Sequence, residues 1–339
     1  MSRSFLLVKT SSLGDVVHNL PVASDLRTVF PGCRIDWVVE SAFADIPGLH
    51  PDVRRVIPCA LRRWRKSLLR PDTWSEIGAL RSRLRETEYD AVIDTQGLLK
   101  SALVARMARG TRHGLDWRSS REPLSPLYDR VHSVPWGRHA VQRNRELAAA
   151  ALGYSVPDRL DYGITAPPLE SVASELACEP DPDRPWLPAA QLHDWLPARP
   201  FAVLLHASSA ESKLWPAHQW KKLIAHLDGE GVASVLPWGG AHEKEAATQI
   251  ASGLRGAVVA PRLSLRALAA VLGRADFCIG VDTGLTHLAA ALGRPTVGVY
   301  VSTDPVATGV HAPGVAANTG GRTRAPSLVD VLTALKGVA

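Results

Sequence analysis

Short apolar runs alternate with segments of helical periodicity along most of the chain. Runs rich in β-formers predict buried strands at residues 5–9, 35–39, 53–57, 90–94, 113–115, 201–206, 233–237, 258–259, 277–281 and 296–300. Helical spacing predicts intervening helices at residues 16–30, 95–110, 220–229, 243–254, 264–272 and 285–292. Because strands and helices alternate, the pattern predicts an α/β fold built from βαβ units.

The alternation stops at a proline-rich segment and then restarts. Residues 166–200 contain eight of the 25 prolines. A chain of 339 residues also exceeds the usual size of one core. We therefore predict a domain at 1–165, a linker or insertion at 166–200 with a short helix near 171–178, and a domain at 201–339. The last helix is a candidate to pack back on the first domain, and small ligands are expected in the cleft between domains.

The clearest βαβ unit contains the turn Asp282-Thr283-Gly284 between a strand and a helix. A helix N-terminus at the carboxyl edge of a sheet offers free N–H groups and a positive dipole end, which suit a phosphate. Asp282 or Thr283 is equally able to cap the helix. The sequence alone leaves both interpretations open.

Charge and cysteine spacing narrow the function classes. The net charge of +6 and pI near 9.3 favour an acidic partner, such as nucleic acid, a phospholipid surface or a phosphorylated substrate. The four cysteines are far apart, which argues against zinc and disulfides and fits a reducing cytosol. No apolar run is long enough for a membrane span or a signal peptide.

The run LRRWRKSLLR, residues 61–70, is the strongest basic segment. Its cations include Arg62, Arg63, Arg65 and Lys66. Such a run is often a solvated helix face, but Trp64 among the cations favours a membrane interface or a phosphorylated lipid. Nucleic acid is disfavoured because no recognised nucleic-acid motif is present.

Polar residues follow a strand in the second half as well. Ser208, Ser209 and Lys213 come after the strand ending near residue 206 and are expected to converge near Thr283. Hydroxyls, backbone N–H groups and an ammonium together suit a pyrophosphate. No GxGxxG or Walker sequence follows a predicted strand, which counts against a nicotinamide enzyme.

Three further residues each have a functional and a structural interpretation. Asp15 lies in the first βα loop, which faces the ligand crevice of a doubly wound sheet, but it also suits an N-cap. Glu243 is placed to accept hydrogen bonds from ribose hydroxyls, or to stabilise a helix as an acid in the first turn, where it interacts with the positive end of the helix dipole. His287 lies one turn after Thr283, where most histidines are structural.

Three segments carry a family resemblance: VKTSSLGDVVHNLP, HASSAESKLWP and VDTGLTHLAAALGRPTVGVY. They resemble the characteristic segments of the bacterial ADP-heptose:lipopolysaccharide heptosyltransferases. RRWRK, DAVIDTQGLLKSAL and HGLDWRSSREPLSPLYDR further resemble the heptosyltransferase I branch. The resemblance covers nearly the whole chain.

The resemblance implies an inverting glycosyltransferase of the GT-B type, with two Rossmann-like domains facing each other across a cleft. It implies transfer of L-glycero-D-manno-heptose from ADP-heptose to the keto-deoxy-octulosonate (Kdo) of Kdo-lipid A. No cofactor is expected, and the location expected is cytoplasmic, peripheral on the anionic inner membrane. The alternatives are heptosyltransferase II acting on heptosylated core, a sugar-nucleotide epimerase of the same architecture, and a non-catalytic nucleotide- or lipid-binding module.

The resemblance also assigns roles to residues. Asp15 matches the catalytic aspartate, and Glu243 matches the ribose-binding acid. The remaining donor-binding positions are Ser208, Ser209, Lys213, Asp282, Thr283, Gly284 and His287. The acceptor-binding positions are Arg62, Arg63, Arg65, Lys66 and Arg121. Two departures stand out: Ser208-Ser209 replaces threonines common in relatives, and residues 178–199 form a longer stretch than usual.

The chemistry of glycosyl transfer gives two of these residues a defined task. The transition state is oxocarbenium-like, so an inverting enzyme needs a base beside the acceptor and positive charge beside the departing diphosphate. Asp15 is expected to be the base, and Lys213 with the Thr283 helix end the stabiliser. A carboxylate near cations is a weak base, so geometry has to matter more than its pKa. No metal site is predicted, and turnover is expected to be metal-independent.

Overall fold

The computed structural model describes residues 2–176 and 195–338 of the chain. These residues form two compact units, Met1–Ile164 and Thr165–Ala339. Residues 177–194, which include much of the predicted linker and Cys178, lie outside the described residues. Each unit contains its own parallel sheet, with α-helices between most successive strands.

The first unit contains six strands in the order β3-β2-β1-β4-β5-β6, all paired in parallel. These strands are β1 (Ser4–Val8), β2 (Arg34–Glu40), β3 (Val53–Cys59), β4 (Glu88–Asp94), β5 (Arg109–Leu115) and β6 (Arg130–His132). Its helices are α1 (Leu13–Val17), α2 (Leu20–Val29), α3 (Asp45–Gly48), α4 (Leu61–Trp64), α5 (Pro71–Arg85), α6 (Leu99–Ala105) and α7 (Ala140–Leu152). This strand order is that of a Rossmann fold.

The second unit repeats this topology, with the strand order β12-β11-β10-β7-β8-β9 and parallel pairing throughout. Its strands are β7 (Phe201–Leu205), β8 (Ala233–Leu236), β9 (Ala257–Val259), β10 (Phe277–Val281), β11 (Thr296–Tyr300) and β12 (Ala316–Gly320). Its helices are α8 (Leu169–Leu176), α9 (Ala217–Gly229), α10 (Ala241–Ala251), α11 (Leu265–Arg274), α12 (Gly284–Ala291), α13 (Pro305–Thr308) and α14 (Leu328–Lys336). Both sheets therefore confirm the predicted α/β fold.

The central strands are buried on both faces, which is why they read as continuous apolar runs rather than alternating ones. Every residue of β1, β7 and β11 is buried. In the second unit α14 packs against β11, β12 and α9. Its buried residues Val331 and Leu335 belong to the core of that unit.

Two predicted helices are wrong in extent. The helix predicted at 16–30 begins earlier and is split into α1 and α2, because the Pro21 ring would clash with the Val17 carbonyl in a continuous helix. The helix predicted at 95–110 is only α6, Leu99–Ala105. Asp94 holds the preceding loop by accepting from Gln96 N and Gly97 N, and β5 already begins at Arg109.

Several elements were not predicted. They are α3, α5, α7, α13 and the edge strands β6 and β12. The last helix, α14, was expected, but its bounds were not predicted. The edge strands are short and rich in polar or small residues, so they lack the apolar run that marks a buried strand. Within the described residues, no helix combines the length and the apolarity that a membrane crossing requires.

Candidate active site

The candidate residues lie where each sheet changes its winding direction. In the first unit this point lies between β1 and β4, and in the second between β7 and β10. Ligands of doubly wound sheets bind at such switch points, at the carboxyl ends of the strands. The loop after β1 leads to Asp15, whereas the loops after β7 and β10 carry Ser208, Lys213, Asp282 and Thr283. Each predicted site is therefore positioned by its sheet.

Asp15 occupies the first turn of α1 and makes a capping box with Ser12. Its Oδ2 accepts from Ser12 N at 2.7 Å and from Ser12 Oγ at 2.9 Å. Among the described residues, its Oδ1 has no hydrogen-bond partner, and the side chain is partly exposed. One oxygen thus serves the helix while the other is available to a substrate hydroxyl. The capping interpretation and the base interpretation are compatible.

Residues after β4 hold the loop that leads to Asp15. Gln96 Oε1 accepts from the backbone N of Thr10 and of Ser11, both at 3.0 Å. Lys100 Nζ donates to Ser11 Oγ at 2.7 Å. Sequence reasoning missed Gln96 and Lys100 as site residues, and the only signal was their place just after the predicted strand 90–94.

Lys9 at the end of β1 is a buried cation beneath this loop. Burial lowers the pKa of its ammonium, Asp15 and Asp94 raise it, and Arg143 and Arg121 lower it again. Each of these four groups is therefore within electrostatic reach of Lys9. The predicted acceptor residue Arg121 is exposed and belongs to the same charged neighbourhood as Asp15, together with Arg143, which the sequence did not suggest.

The predicted basic run forms α4 and the turn that follows it. Arg62, Arg63, Arg65 and Lys66 are all exposed. Arg63 makes a bidentate pair with Glu76, with N–O distances of 3.0 and 2.6 Å. Arg63 is thus paired with a carboxylate, whereas the exposed side chains of Arg62, Arg65 and Lys66 are accessible to solutes.

Trp64 does not lie at a surface, and its predicted role at a membrane interface is wrong. The indole is 6% exposed and packs in the core cluster that contains Leu80 and Leu84. Its Nε1 donates to Glu76 Oε2 at 2.6 Å. The helical turn of α4 points this position inward while the arginines on either side point outward.

Asp282 is the centre of the predicted donor site in the second unit. It lies at the end of β10 and accepts from Lys213 Nζ and from Thr303 Oγ1, each at 2.8 Å. His287 Nε2 lies 3.9 Å from Oδ1. Burial alone would raise the pKa of this carboxyl, but the donors His287, Lys213 and Thr303 outweigh it and hold the pKa well below its usual range. Thr303 was not predicted.

The N-terminus of α12 is open to a ligand. Neither Asp282 nor Thr283 caps it: Thr283 is at the N-cap position but makes no side-chain capping bond, and Asp282 is held by Lys213. The first N–H groups of a helix have no intrahelical acceptor, so those near Gly284 can bind an anion. Ser208 Oγ donates to the Asp282 carbonyl at 3.1 Å, and Ser209 is exposed beside it.

Glu243 lies in the first turn of α10 and is partly exposed. Its Oε2 accepts from Gly239 N at 2.7 Å, which fixes the carboxylate at the loop after β8. This contact matches the structural interpretation while leaving the other oxygen for a ligand hydroxyl. In the part of the chain that the structure describes, no group of three or more His, Cys, Asp or Glu residues is arranged to hold a metal ion.

Solved structures share this architecture. The E. coli heptosyltransferase WaaC with ADP has a TM-score of 0.84 and 40% identity, with 99% of this chain and all of that chain covered. E. coli ADP-heptose lps heptosyltransferase II shares the fold with a TM-score of 0.73 at 21% identity, over 99% of this chain and 97% of that chain. The fold is therefore that of the GT-B glycosyltransferases.

The sequence places the chain within this class. The profile of glycosyltransferase family 9 (heptosyltransferase) matches residues 77–334, and the chain belongs to that family. It is 45% identical over 303 residues to lipopolysaccharide heptosyltransferase 1 of Escherichia coli K12, covering 88% of each chain. It is 46% identical over 309 residues to the protein of that name from Pseudomonas aeruginosa, covering 90% of this chain and 81% of the other. The predicted family resemblance is confirmed.

Proposed function

We propose that this protein transfers heptose from ADP-heptose to the Kdo of Kdo-lipid A during assembly of the lipopolysaccharide inner core. Four relatives named lipopolysaccharide heptosyltransferase 1, from E. coli, Pseudomonas aeruginosa and Salmonella typhimurium, are 44–46% identical to it. The protein of that name from Campylobacter coli is 26% identical, and a lipooligosaccharide heptosyltransferase 2 of Haemophilus influenzae is 24% identical. E. coli WaaC has also been solved with ADP-2-deoxy-2-fluoro heptose, at 41% identity and a TM-score of 0.79. These likenesses favour addition of the first heptose.

The observation that carries the proposal is the Lys213–Asp282 pair beside the N-terminus of α12. Asp282 accepts from one of the three N–H donors of the Lys213 ammonium, so the others can donate to a ligand. The other donors and the free N–H groups near Gly284 are positioned for the diphosphate of the donor. Negative charge that develops on the leaving diphosphate is then stabilised by groups fixed in advance.

Other residues of the second unit complete the donor site in this proposal. The hydroxyls of Ser208 and Ser209 bind phosphate oxygens, and Glu243 accepts from a ribose hydroxyl. His287 supports Asp282 from the adjacent turn of α12. Its contribution is to keep Asp282 ionised and thereby to orient Lys213.

Asp15 is the general base in this proposal. The hydroxyl oxygen of Kdo forms a bond to the anomeric carbon of heptose, and Asp15 Oδ1 accepts the proton that this hydroxyl loses. At the same time the bond between the anomeric carbon and the diphosphate oxygen breaks, and ADP leaves. Attack from the opposite face inverts the anomeric configuration. Arg62, Arg65, Lys66 and Arg121 provide positive charge for the carboxylates and phosphates of the acceptor, and the same charge favours peripheral contact with the anionic inner membrane. Arg63 joins them by exchanging its partner Glu76 for an acceptor group.

The test measures ADP release from ADP-heptose with and without Kdo-lipid A. Wild type is expected to release ADP only when the acceptor is present. Asp15→Ala is expected to lose about 10²- to 10⁴-fold in kcat while retaining ADP-heptose binding. Ser12→Ala removes a hydroxyl from the same capping box but keeps the carboxylate, so it controls for damage to α1 and is expected to retain turnover.

Each alternative function gives a different result in this assay. Turnover with heptosylated core but not with Kdo-lipid A would identify the second transferase. Conversion of the nucleotide sugar without any acceptor would indicate an epimerase. Donor binding without turnover under every condition would contradict the assignment as an enzyme.

A further inference from the structure

A turn in the first unit exposes three large apolar side chains together. Leu69 is fully exposed, Leu68 is 49% exposed and Trp74 is 60% exposed. We call residues 67–74 the apolar turn; they connect α4 to the first residues of α5. Single exposed leucines are common on protein surfaces, but a cluster of large apolar groups marks an interaction site.

The apolar turn is held in place by hydrogen bonds. Thr73 is buried, and its Oγ1 donates to Ser67 O at 2.8 Å. Arg70 N donates to Ser67 O at 3.0 Å, and Trp74 Nε1 donates to Leu68 O at 2.8 Å. The last contact places the indole against the backbone of the leucine pair. The exposure of the leucines is therefore a property of an ordered turn.

Both ends of the apolar turn are anchored in the core of the first unit. Ser67 N donates to Trp64 O at 2.9 Å, and Trp64 is itself buried. On the other side, α5 buries Leu80 and Leu84 in the same cluster. Glu76 of α5 then accepts from Trp64, which joins the two anchors.

Cations surround the apolar side chains. Arg65 and Lys66 precede the leucines, and Arg70 follows them; all three are exposed. Arg70 lies 3.4 Å from Asp72, but both side chains are largely exposed, so this pair neutralises little of the local charge. Exposed apolar side chains flanked in the chain by lysine and arginine match a bilayer surface, where the apolar groups enter the acyl boundary and the cations meet lipid phosphates.

We propose that the apolar turn inserts into the headgroup region of an anionic phospholipid bilayer, with Leu68, Leu69 and Trp74 entering the acyl boundary and the flanking cations at phosphate level. This inference rests on the proposed function, which includes peripheral contact with the membrane, and it assigns that contact to the apolar turn. A second copy of the chain is a poorer occupant, because pairing this face with itself would bring its cations together.

The test is sedimentation of the full-length protein with vesicles that contain phosphatidylglycerol and phosphatidylcholine. Leu68→Ser/Leu69→Ser is expected to reduce the partition coefficient about tenfold or more, since both side chains leave an apolar phase. The matched control is Val306→Ser/Val329→Ser, which alters two residues of the second unit that are 74% and 70% exposed. The control is expected to bind as wild type does.

A second measurement separates docking from catalysis. Transfer to O-deacylated, water-soluble Kdo-lipid A without vesicles is expected to be unchanged in Leu68→Ser/Leu69→Ser, whereas transfer to acceptor embedded in vesicles is expected to fall. If the proposed function were wrong, neither protein would transfer heptose, but the difference in vesicle binding would persist.

Two results would overturn the inference. The first is equal vesicle binding by wild type and Leu68→Ser/Leu69→Ser. The second is self-association in sedimentation velocity that the leucine variant abolishes while vesicle binding stays intact, which would identify the turn as an interface between copies. Thermal unfolding checks the variant itself: replacing exposed leucines is expected to leave the melting temperature close to that of wild type.

Discussion

Asp282 links the stability of the second unit to the proposed donor site. It is nearly buried, yet its donors keep it ionised. A carboxylate with a depressed folded-state pKa stabilises the protein fully above the unfolded pKa of about 3.9, and this contribution is lost as the pH falls through the folded pKa. The same carboxylate pairs with Lys213, so we expect its removal to affect both stability and ADP-heptose binding.

We expect Asp282→Asn to lower the free energy of unfolding by about 2 kcal/mol at pH 7, the size expected when hydrogen bonds to a charged group are weakened. The difference from wild type is expected to shrink below about pH 4, where the unfolded carboxyl becomes protonated. Urea unfolding between pH 7 and 3.5 measures both effects. Asp304→Asn is the control, since Asp304 is exposed and asparagine also caps α13 well. A pH-independent difference would contradict this account.

The sequence located the charged residues of the candidate site better than their surroundings. Asp15, Lys213 and Asp282 were found because each follows a predicted strand, and strand ends converge at one edge of a sheet. Gln96 and Lys100 were missed because their importance depends on contacts with the loop after β1.

The two tryptophans near the basic run illustrate the same limit. Trp64 and Trp74 both lie close to arginines in the sequence, yet Trp64 is buried and Trp74 is 60% exposed. Periodicity over the four residues of α4 is too short to show which side faces inward. The sequence therefore indicated an exposed aromatic residue at Trp64, whereas the exposed tryptophan near the basic run is Trp74.

At the scale of elements, the position of α12 depends on close packing against β10. A Cβ added at Gly280 would lie 2.1 Å from Thr286 Oγ1 and 2.8 Å from Leu205 Cβ. Thr286 Oγ1 in turn donates to Val281 O at 2.7 Å, which ties the helix to the strand. The glycine thus lets the N-terminus of α12 approach the sheet at the candidate donor site.

We expect Gly280→Ala to destabilise the protein by about 1–3 kcal/mol through overpacking and to weaken ADP-heptose binding by displacing α12. Gly78→Ala is the matched control: Gly78 lies in α5, and an added Cβ would meet nothing within 4 Å. The free energy of unfolding of Gly78→Ala is expected to rise by about 0.5–1 kcal/mol, because alanine is more stable than glycine in a helix interior. Denaturant unfolding and calorimetric titration measure the two quantities. Unchanged donor affinity in Gly280→Ala would show that α12 does not respond to this contact.

Element prediction succeeded where a buried strand gives a continuous apolar run and failed where local contacts decide. Pro21 lies within the predicted helix 16–30, but the start of a new helix at Leu20 depends on where the chain can turn. The Asp94 side chain keeps residues 96–97 out of α6, and such a contact leaves no periodic signal.

At the scale of the whole molecule, the same strand order serves two chemistries. In both units the first and the fourth strand flank the switch point, and the loops that follow these two strands lie beside it. In the first unit these loops carry serines, a glutamine and Asp15; in the second they carry Lys213, Asp282 and an open helix N-terminus. The proposed division of labour therefore follows from the loops, since the scaffold is common.

We expect turnover to be independent of divalent metal, because Lys213 and the N-terminus of α12 already provide positive charge for the leaving diphosphate. Initial rates with excess EDTA are expected to equal those without it. The control is a parallel reaction with added Mg²⁺, which is expected to change the rate little. Activity that disappears with EDTA and returns with Mg²⁺ would contradict this expectation.

Insertion of the apolar turn into a bilayer, as proposed above, would have a kinetic consequence. A transferase held to the bilayer by Leu68 and Leu69 meets its acceptor by lateral diffusion, in two dimensions, whereas the nucleotide sugar arrives from three-dimensional solution. Its rate then depends on the mole fraction of acceptor in the bilayer. Diluting the acceptor with inert lipid at constant total acceptor would slow the enzyme, although no bulk concentration of either substrate had changed.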